Sequence, residues 1–234
     1  MRSMKIAGLQ KTSLIDYPEK ISTVVFTYGC NLRCPYCHNS GLVKNNNKNI
    51  DFISLDLLFE FLRRRKKLID GVCITGGEPT LQTGLEPFIR KIKKMGFKIK
   101  LDTNGTKPDL INKLVKENLI DYIAMDIKAP FSRYGLLAGS SKYNNQIKES
   151  INILLNSNID YEFRTTVIPG YHTENDLIKI AELIKGAGRY FIQNFKPHNT
   201  LDSAFKSKKG FPPHVLEDFK SKISPYISNV GIRN

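Results

Sequence analysis

Three cysteines close together in the chain are the strongest chemical signal in the sequence. Cys30, Cys34 and Cys37 have the spacing C-x3-C-x2-C. In a reducing compartment such a cluster is more often a metal or redox site than a disulfide framework, and three cysteines cannot all be paired. Thiolates bind thiophilic centres such as zinc and iron–sulfur clusters. The spacing therefore predicts a metal centre in this segment.

The number of ligands separates the candidate metal centres. A 4Fe–4S cluster held by three cysteines leaves one iron free for another ligand, whereas a structural zinc ion needs a fourth ligand. His38 is the nearest candidate, but it directly follows Cys37, so tetrahedral binding by both residues is awkward. Cys73 lies in the apolar string GVCIT and is expected to be a small core residue. The spacing favours an open iron–sulfur cluster and leaves a zinc site and no metal as alternatives.

Short β-branched or apolar runs alternate with helical patterns along the chain, which is typical of βαβ units around a parallel sheet. The pattern fits an α/β fold, either an open doubly wound sheet or a partial (β/α) barrel. The predicted strands are Ser22–Thr27, Gly71–Thr75, Lys98–Asp102, Tyr122–Asp126, Tyr161–Val167 and Arg189–Phe195. The predicted helices are Leu55–Lys66, Leu85–Met95, Pro108–Glu117, Gln146–Asn156, Glu174–Lys185 and Pro213–Ile223, with Thr173 as an N-cap and Gly96 as a stop.

Polar and metal-binding residues follow each predicted strand. Because the carboxyl ends of parallel strands surround one opening, these residues are expected to share a site. Taken singly, each has an ordinary interpretation, such as a tight turn, a structural ion pair or a surface histidine. In chain order they are the cysteine segment, Gly76-Gly77-Glu78-Pro79-Thr80, Asp102-Thr103-Asn104-Gly105, Asp126 with Lys128, Arg164 to Thr166, and Asn194 with Lys196 and His198.

Composition sets broad limits on the class of protein. The chain has 234 residues, of which 41% are hydrophobic and 25% charged, so it should fold as a globular protein. No apolar run reaches the roughly 18–20 residues that a membrane helix needs, and the start of the chain lacks the pattern of a signal peptide. We therefore expect a soluble, unexported, cytoplasmic protein with no membrane partner. The Asn-rich segment Lys44–Asn49 is expected to be a surface loop.

The chain is strongly basic, with a formal net charge of +14. Such a charge attracts nucleic acids, acidic proteins or acidic lipids without choosing among them. The one dense run, Arg63 to Lys67, follows an apolar helical pattern, and cations are favoured at a helix C-terminus. We interpret this run as a solvated helix end, with a docking surface as the alternative.

The cysteine spacing, with Tyr36 before the last cysteine and GGEPT after the second strand, resembles the radical S-adenosylmethionine superfamily. Longer strings resemble its glycyl-radical-enzyme activating branch, above all the activating proteins of anaerobic ribonucleoside-triphosphate reductases and then pyruvate formate-lyase activating enzymes. The likeness extends from about Lys5 to His198 and more weakly to the C-terminus. The strings are GLQKTSLIDYP (Gly8–Pro18), CPYCHN (Cys34–Asn39), DTNG (Asp102–Gly105), MDIK (Met125–Lys128) and VIPG (Val167–Gly170).

The resemblance implies a fold, two cofactors and a set of residues that bind them. The fold would be a partial (β/α)6 TIM-like barrel, as one domain over residues 1–234 with a core at about 20–200 and a C-terminal helix and strand in 211–234. The cofactors would be one 4Fe–4S cluster, bound by Cys30, Cys34 and Cys37, and S-adenosylmethionine, which would occupy the fourth iron. The implied S-adenosylmethionine contacts are Tyr36, His38, Gly76, Gly77, Glu78, Asp102, Asp126, Lys128 and His198.

The resemblance also implies an activity and its partners. The enzyme would cleave S-adenosylmethionine reductively and place a glycyl radical on a partner enzyme, most specifically anaerobic ribonucleotide reductase, with a flavodoxin or ferredoxin as electron donor. No catalytic residue beyond the cluster and cofactor is implied, and no spare cysteines are present for a second cluster. One alternative is a radical enzyme that acts on a small molecule or a tRNA base, although no nucleic-acid-binding module is visible. The other is a zinc-binding module without enzymatic activity.

Overall fold

The computed structural model describes residues 4–43 and 50–234, so the predicted loop at Lys44–Asn49 lies outside the described residues. Eight strands form one sheet in which every strand lies beside its neighbours in the sequence. The first strand is antiparallel to the second, and all later pairs are parallel. The strands are β1 (Ile6–Ser13), β2 (Ser22–Thr27), β3 (Gly71–Gly76), β4 (Lys98–Thr103), β5 (Tyr122–Asp126), β6 (Asp160–Val167), β7 (Tyr190–Asn194) and β8 (Val230–Arg233).

Helices occupy most of the connections between the parallel strands. The signals expected at helix ends are present. Thr173 caps one helix through a capping box with Asp176, and Gly96 follows another helix with φ of 90°. The helices are α1 (Ser40–Val43), α2 (Leu55–Arg65), α3 (Leu85–Lys94), α4 (Pro108–Lys116), α5 (Tyr134–Ala138), α6 (Asn144–Leu155), α7 (Glu174–Leu183) and α8 (Pro213–Ile223).

The strand order distinguishes the two architectures that the sequence allows. In a doubly wound sheet the order reverses at a switch point, whereas here it runs from β1 to β8 without reversal. Right-handed crossovers in such a series place all the helices on one face, and the twisted sheet curls with the helices outside. Within the described ranges β1 and β8 do not pair with each other. The prediction of a partial barrel is confirmed, and the doubly wound alternative is wrong.

The two faces of the sheet differ in character. Outward-facing strand residues such as Ile74, Leu101 and Phe163 are fully buried in the main hydrophobic core against the helices. Because side chains alternate along a strand, their neighbours face the barrel interior, and several of these are charged. Lys100 on β4 is only 2% exposed, and Glu162 on β6 only 1%. The barrel interior therefore holds buried charged side chains beside a small apolar cluster of Tyr17, Tyr122 and Ala124.

The six strands predicted from the sequence correspond to β2 to β7, with ends that differ by at most one residue. The sequence patterns do not predict β1, α1 or α5. β1 has two register irregularities against β2 and three successive exposed residues, which remove the alternation on which the prediction depends. The basic run closes α2 as expected, with Arg63 and Lys67 exposed. Among the described residues, no helix is long and apolar enough to cross a bilayer.

Candidate active site

The loop after β2 carries the three clustered cysteines, and backbone hydrogen bonds fix both of its halves. Gly29 N–H donates to the Leu42 carbonyl at 2.8 Å, and Arg33 N–H donates to the Ala138 carbonyl at 2.9 Å. These carbonyls belong to α1 and α5, the two short helices that the sequence patterns do not reveal. Cys37 N–H closes a turn on the Cys34 carbonyl at 3.1 Å. All four cysteines of the chain are free thiols.

A cavity of about 250 Å³ opens at the carboxyl ends of β2 to β7, where the sequence predicts a shared site. Of the cluster ligands and S-adenosylmethionine contacts that the family resemblance implies, all except His198 line it. These are Cys30, Cys34, Tyr36, Cys37, His38, Gly76, Gly77, Glu78, Asp102, Asp126 and Lys128. Arg164, Asn39, Thr75, Thr103, Asn104, Thr166 and Gln193 also line the cavity.

The two glycines after β3 are required by close contact with the cysteine loop. A Cβ on Gly77 would lie 2.1 Å from the Gly29 carbonyl oxygen, and one on Gly76 would lie 2.4 Å from the Thr27 nitrogen. Gly77 N–H also donates to the Thr27 carbonyl at 2.8 Å. Gly76 has φ of 115°, which favours glycine. The glycines thus set the spacing between this turn and the metal-binding loop.

Glu78 is buried and joins the end of β3 to the end of β4. Its Oε1 accepts hydrogen bonds from Thr80 N–H at 3.1 Å and from the Thr103 hydroxyl at 2.8 Å, and its Oε2 accepts one from Asn104 N–H at 2.7 Å. Burial raises the pKa of Glu78 despite these bonds. The hydroxyl of Thr80 also donates to Oε1. Oε2 is therefore the carboxylate oxygen with capacity for a further donor.

Five charged side chains of alternating sign cross the barrel interior beneath the cavity. Lys128 Nζ lies 3.0 Å from Asp126 Oδ2, and Asp126 Oδ1 lies 2.9 Å from Arg164 Nε. Arg164 Nη1 then lies 3.3 Å from Asp102 Oδ2, and Lys100 pairs with the other oxygen of Asp102. Each buried charge has an opposite neighbour, which is the usual condition for burying charge. We call this set the charge ladder.

The charge ladder keeps its members ionised despite their burial. Burial alone would raise the pKa of Asp126, but Arg164 and Lys128 outweigh it and hold that pKa well below its ordinary value. Burial alone would lower the pKa of Lys128, but Asp126 reverses the effect. Three cations and two carboxylates leave the ladder with one net positive charge at the floor of the cavity.

Two buried side chains that the sequence does not single out hold the backbone of Lys128. Lys128 N–H donates to the Tyr134 hydroxyl at 3.1 Å. The Lys128 carbonyl lies 3.0 Å from His172 Nε2, and His172 Nδ1 accepts from Ile168 N–H at 3.2 Å. Since Nδ1 accepts, Nε2 carries the proton and donates to Lys128. The turn before α7 therefore positions the end of β5.

Burial keeps the cysteine thiols protonated when no metal is bound. It raises the pKa of Cys30 to about 11 and that of Cys34 to about 12, and it also raises the pKa of Cys37. A bound metal displaces such protons. In the described part of the chain, no three His, Cys, Asp or Glu side chains are arranged to hold a single metal ion. A multi-iron cluster instead distributes its ligands over separate iron atoms.

On β6 and β7, two of the residues predicted to lie at the shared site do not line the cavity. Thr165 points outward and donates to the Ile127 carbonyl at 2.8 Å, whereas its neighbours Arg164 and Thr166 line the cavity. On β7, Gln193 lines the cavity, and Asn194 instead accepts from Phe211 N–H at 2.8 Å. Alternation along a strand explains both differences. A charged residue inside a buried strand is the signal that identifies Arg164.

His198 and Lys196 are exposed and do not line the cavity. His198 lies close enough to His38 to lower the pKa of that residue, although burial is the larger cause of the shift. Cys73 is fully buried as predicted, but it faces the barrel interior with its sulfur 3.7 Å from Lys100 Nζ.

A larger cavity, of about 1160 Å³, lies at the opposite, amino end of the strands. Its lining includes Lys98, Tyr122 and Asp160, the first residues of β4, β5 and β6, and no cysteine. In barrels of this type the chemistry lies at the carboxyl ends of the strands. The smaller cavity, which the three thiols line, is therefore the candidate active site.

Comparisons with known proteins show the family of the chain as a whole. The radical SAM superfamily model matches residues 24–184. A Methanocaldococcus jannaschii protein that is provisionally named a glycyl-radical enzyme activating enzyme is 36% identical over 237 residues, which cover 97% of this chain and 95% of the relative. The pyruvate formate-lyase-activating enzyme of Streptococcus mutans is 29% identical over 243 residues, which cover 96% and 90% of the two chains.

Solved structures share the fold at low sequence identity. The crystal structure of Streptococcus suis SuiB has a TM-score of 0.68 at 16% identity, over 88% of this chain and 47% of that one. TYW1 with a lysine-pyruvate adduct bound has a TM-score of 0.61 at 19% identity, over 88% and 74%. These likenesses show the fold alone. Family model, relatives and fold together show that this chain belongs to the radical S-adenosylmethionine superfamily and, within it, to the glycyl-radical enzyme activating enzymes.

Proposed function

We propose that this enzyme activates an anaerobic ribonucleotide reductase by placing a radical on a glycine of that partner. The observation that carries the proposal is the cavity in which three cysteine thiols, the glycine turn and the charge ladder meet. The family uses a 4Fe–4S cluster and S-adenosylmethionine. Together, when bound, these groups supply reductive cleavage of a carbon–sulfur bond and abstraction of a hydrogen atom.

The residues present fit both cofactors. Three free thiols line one cavity with no fourth cysteine beside them, which suits a cluster with one open iron. The hydroxyl of Tyr36 is buried without a hydrogen-bond partner, so it can bond with a polar group of a bound ligand. In our assignment Cys30, Cys34 and Cys37 hold the cluster.

The remaining side chains bind and orient S-adenosylmethionine. Glu78 Oε2 can accept a hydrogen bond from its ammonium group, and the positive charge of Lys128 favours its carboxylate. Asp102 and Asp126 retain lone pairs for hydroxyl donors after pairing with Arg164. Tyr36 and His38 lie on the side of the cavity near the cysteines and would flank the adenine. We retain His198 as a proposed contact that would have to move toward the cavity.

The relatives support the activating-enzyme family without identifying its partner. The reductase is proposed as the partner because the motif strings resemble those of reductase-activating proteins. The glycine must reach the cavity as part of a protein segment, and among the described residues the sheet is open between β1 and β8. Glycine suits hydrogen abstraction because it has no side chain to obstruct approach.

Anaerobic incubation of the reconstituted enzyme with S-adenosylmethionine, reductant and candidate partners tests the proposal. We expect a glycyl-radical signal in electron paramagnetic resonance with an anaerobic ribonucleotide reductase. A reductase whose radical-bearing glycine is replaced by alanine is the matched control and should give no signal. A signal only with pyruvate formate-lyase would change the partner and keep the activity. No signal with any glycyl-radical enzyme, together with turnover of a nucleoside, would favour the small-molecule or tRNA alternative.

A further inference from the structure

The cysteine loop carries an exposed cation that is hydrogen-bonded to the backbone of the first cysteine. Arg33 Nη1 donates to the Cys30 carbonyl at 2.5 Å and to the Leu32 carbonyl at 2.9 Å. Arg33 is nevertheless exposed. Two hydrogen bonds thus hold its guanidinium beside the backbone of Cys30, a proposed cluster ligand.

A series of hydrogen bonds connects the Cys30 thiol with the same surface. Asn104 Nδ2 lies 3.9 Å from Cys30 Sγ and donates to Asn31 Oδ1 at 2.9 Å. Asn31 Nδ2 in turn donates to the Thr106 hydroxyl at 2.8 Å, and Lys107 follows Thr106 in the chain. Lys142 Nζ lies 4.8 Å from the ring centroid of Tyr143. Asn31, Lys142 and Lys107 outweigh the effect of burial and lower the pKa of Tyr143. Asn31 and Tyr143 are half-buried, and Lys142 is exposed. This side of the cluster site thus lies close to solvent, whereas Cys34 is buried.

Three exposed cations, Arg33, Lys107 and Lys142, lie on this surface. Lys107 and Lys142 both lie within electrostatic reach of Tyr143. Across residues 4–43 and 50–234, neither they nor Arg33 form an ion pair with a carboxylate. Lys107 is the N-cap residue of α4, and Lys142 lies two residues before α6, although the helix dipole disfavours cations at both places. The acidic residue nearest to Lys107 in the sequence is Asp109, in the first turn of α4.

We propose that Asn31, Arg33, Lys107, Lys142 and Tyr143 form a docking face for an acidic one-electron carrier protein. The inference rests on the proposed function, because that function requires a reduced cluster. The carrier gives up one electron and the cluster gains it, and no bond is formed or broken. Opposite charges accelerate such encounters and orient the partners. Docking here brings the carrier's redox group near Cys30 and leaves the cavity free for the partner's glycine.

The double variant Lys107→Glu with Lys142→Glu tests the docking face. Each substitution places a carboxylate near a helix N-terminus, which the helix dipole favours, so the fold should be kept. The probes are a flavodoxin and a two-cluster ferredoxin, titrated in their oxidised forms against the reconstituted enzyme at low ionic strength. We expect the Kd for the carrier that binds the wild type to rise at least tenfold. S-adenosylmethionine cleavage driven by that reduced carrier should slow, and cleavage driven by dithionite should not change.

The matched control is Arg63→Glu with Lys67→Glu, which makes the same change of net charge at the exposed end of α2. It should alter the Kd less than twofold. Equal weakening by both pairs would mean a bulk charge effect and would overturn the proposal. An unchanged Kd for the Lys107/Lys142 pair, or no binding of either carrier by the wild type, would also overturn it. Failure of dithionite-driven cleavage in the wild type would instead overturn the proposed function.

Discussion

At the residue scale, the candidate site depends on which cysteines can share a cluster. Cys30, Cys34 and Cys37 line one cavity, whereas Cys73 lies in the barrel interior beside Lys100. The four thiols are alike in chemistry, and three of them are at least half-buried within one loop. Position in the fold, rather than residue type, therefore assigns the ligands.

Replacing Cys30 with serine should prevent stable assembly of the cluster, because a three-thiolate set has no spare ligand. Replacing Cys73 with alanine should leave the iron content unchanged, since this residue lies outside the cavity lining. Iron and sulfide analysis after anaerobic reconstitution measures both variants. Full iron content in the Cys30 variant would show that the assigned ligand set is wrong.

Gly77→Ala should destabilise the protein, because the new Cβ would lie 2.1 Å from a backbone oxygen of Gly29, which is not a flexible side chain. Overpacking of this kind costs about 1–3 kcal/mol. Urea unfolding of the apoprotein measures the cost. Gly188→Ala is the control, because its Cβ would meet nothing within 4 Å. Equal stability of the two variants would mean that the turn can shift without cost.

At the scale of elements, the sequence predicts best where one physical pattern decides the structure. The parallel strands are short apolar runs, so β2 and β5 are predicted to the residue. The edge strand β1 has no such pattern, because its identity depends on pairing with β2. α5 has five residues, which are too few to repeat the helical period of about 3.6 residues, yet its Ala138 carbonyl fixes the cysteine loop.

Contacts between elements give site residues roles that the sequence does not reveal. The sequence places Arg164 near a strand end, but its role follows from its ion pairs with Asp102 on β4 and Asp126 on β5. His172 and Tyr134 act on Lys128 from separate elements, 44 and 6 residues away in the chain. The spacing of residues in the sequence does not predict such contacts between separate elements. The cysteine loop and the glycine turn are predictable because each is a local motif.

His172 should make stability depend on pH below neutrality. Burial lowers the pKa of this histidine in the folded protein. Below about pH 6.5 the unfolded chain therefore binds a proton that the folded protein does not, and stability falls as the pH drops, by up to about 1.4 kcal/mol per pH unit. His172→Gln can keep both hydrogen bonds without titrating, so it should lose less stability between pH 7 and 5. Denaturant unfolding across this range measures the difference.

The control for this prediction is His214→Gln, which removes an exposed histidine on α8. Its pH profile should match that of the wild type. If the His172 variant also follows the wild-type profile, the folded protein must protonate His172 as readily as the unfolded chain does.

At the scale of the whole molecule, a buried ion pair ties the last strand to the barrel interior. The two nitrogens Nη1 and Nη2 of Arg233 on β8 lie 2.6 and 2.8 Å from the carboxylate of Glu162 on β6. Since β7 lies between β6 and β8, the ion pair of Arg233 and Glu162 crosses β7. Tyr122 on β5 donates its hydroxyl to the same carboxylate at 2.8 Å. Glu162 thus connects three strands at the amino end of the barrel.

Arg233→Ala should therefore cost more than the loss of a surface ion pair. It would leave a carboxylate that is 1% exposed without its cation, and breaking a buried pair in this way costs about 3 kcal/mol at the lower end of the usual range. The lower end applies because the Arg233 side chain is 35% exposed. Lys222→Ala removes an exposed partner of Glu174 and should cost less than about 1 kcal/mol.

The double variant Glu162→Gln with Arg233→Ala separates charge burial from packing. If the cost comes from the unpaired carboxylate, the double variant should be more stable than Arg233→Ala alone, because a neutral amide can keep the bond with Tyr122. If the cost comes from lost contacts of the arginine, which also lies 3.5 Å over the Phe191 ring, the double variant should be no more stable. Urea unfolding of the three variants at pH 7 decides between these causes. The first result would mean that Arg233 is required mainly because it compensates the buried charge of Glu162, rather than for its packing contacts.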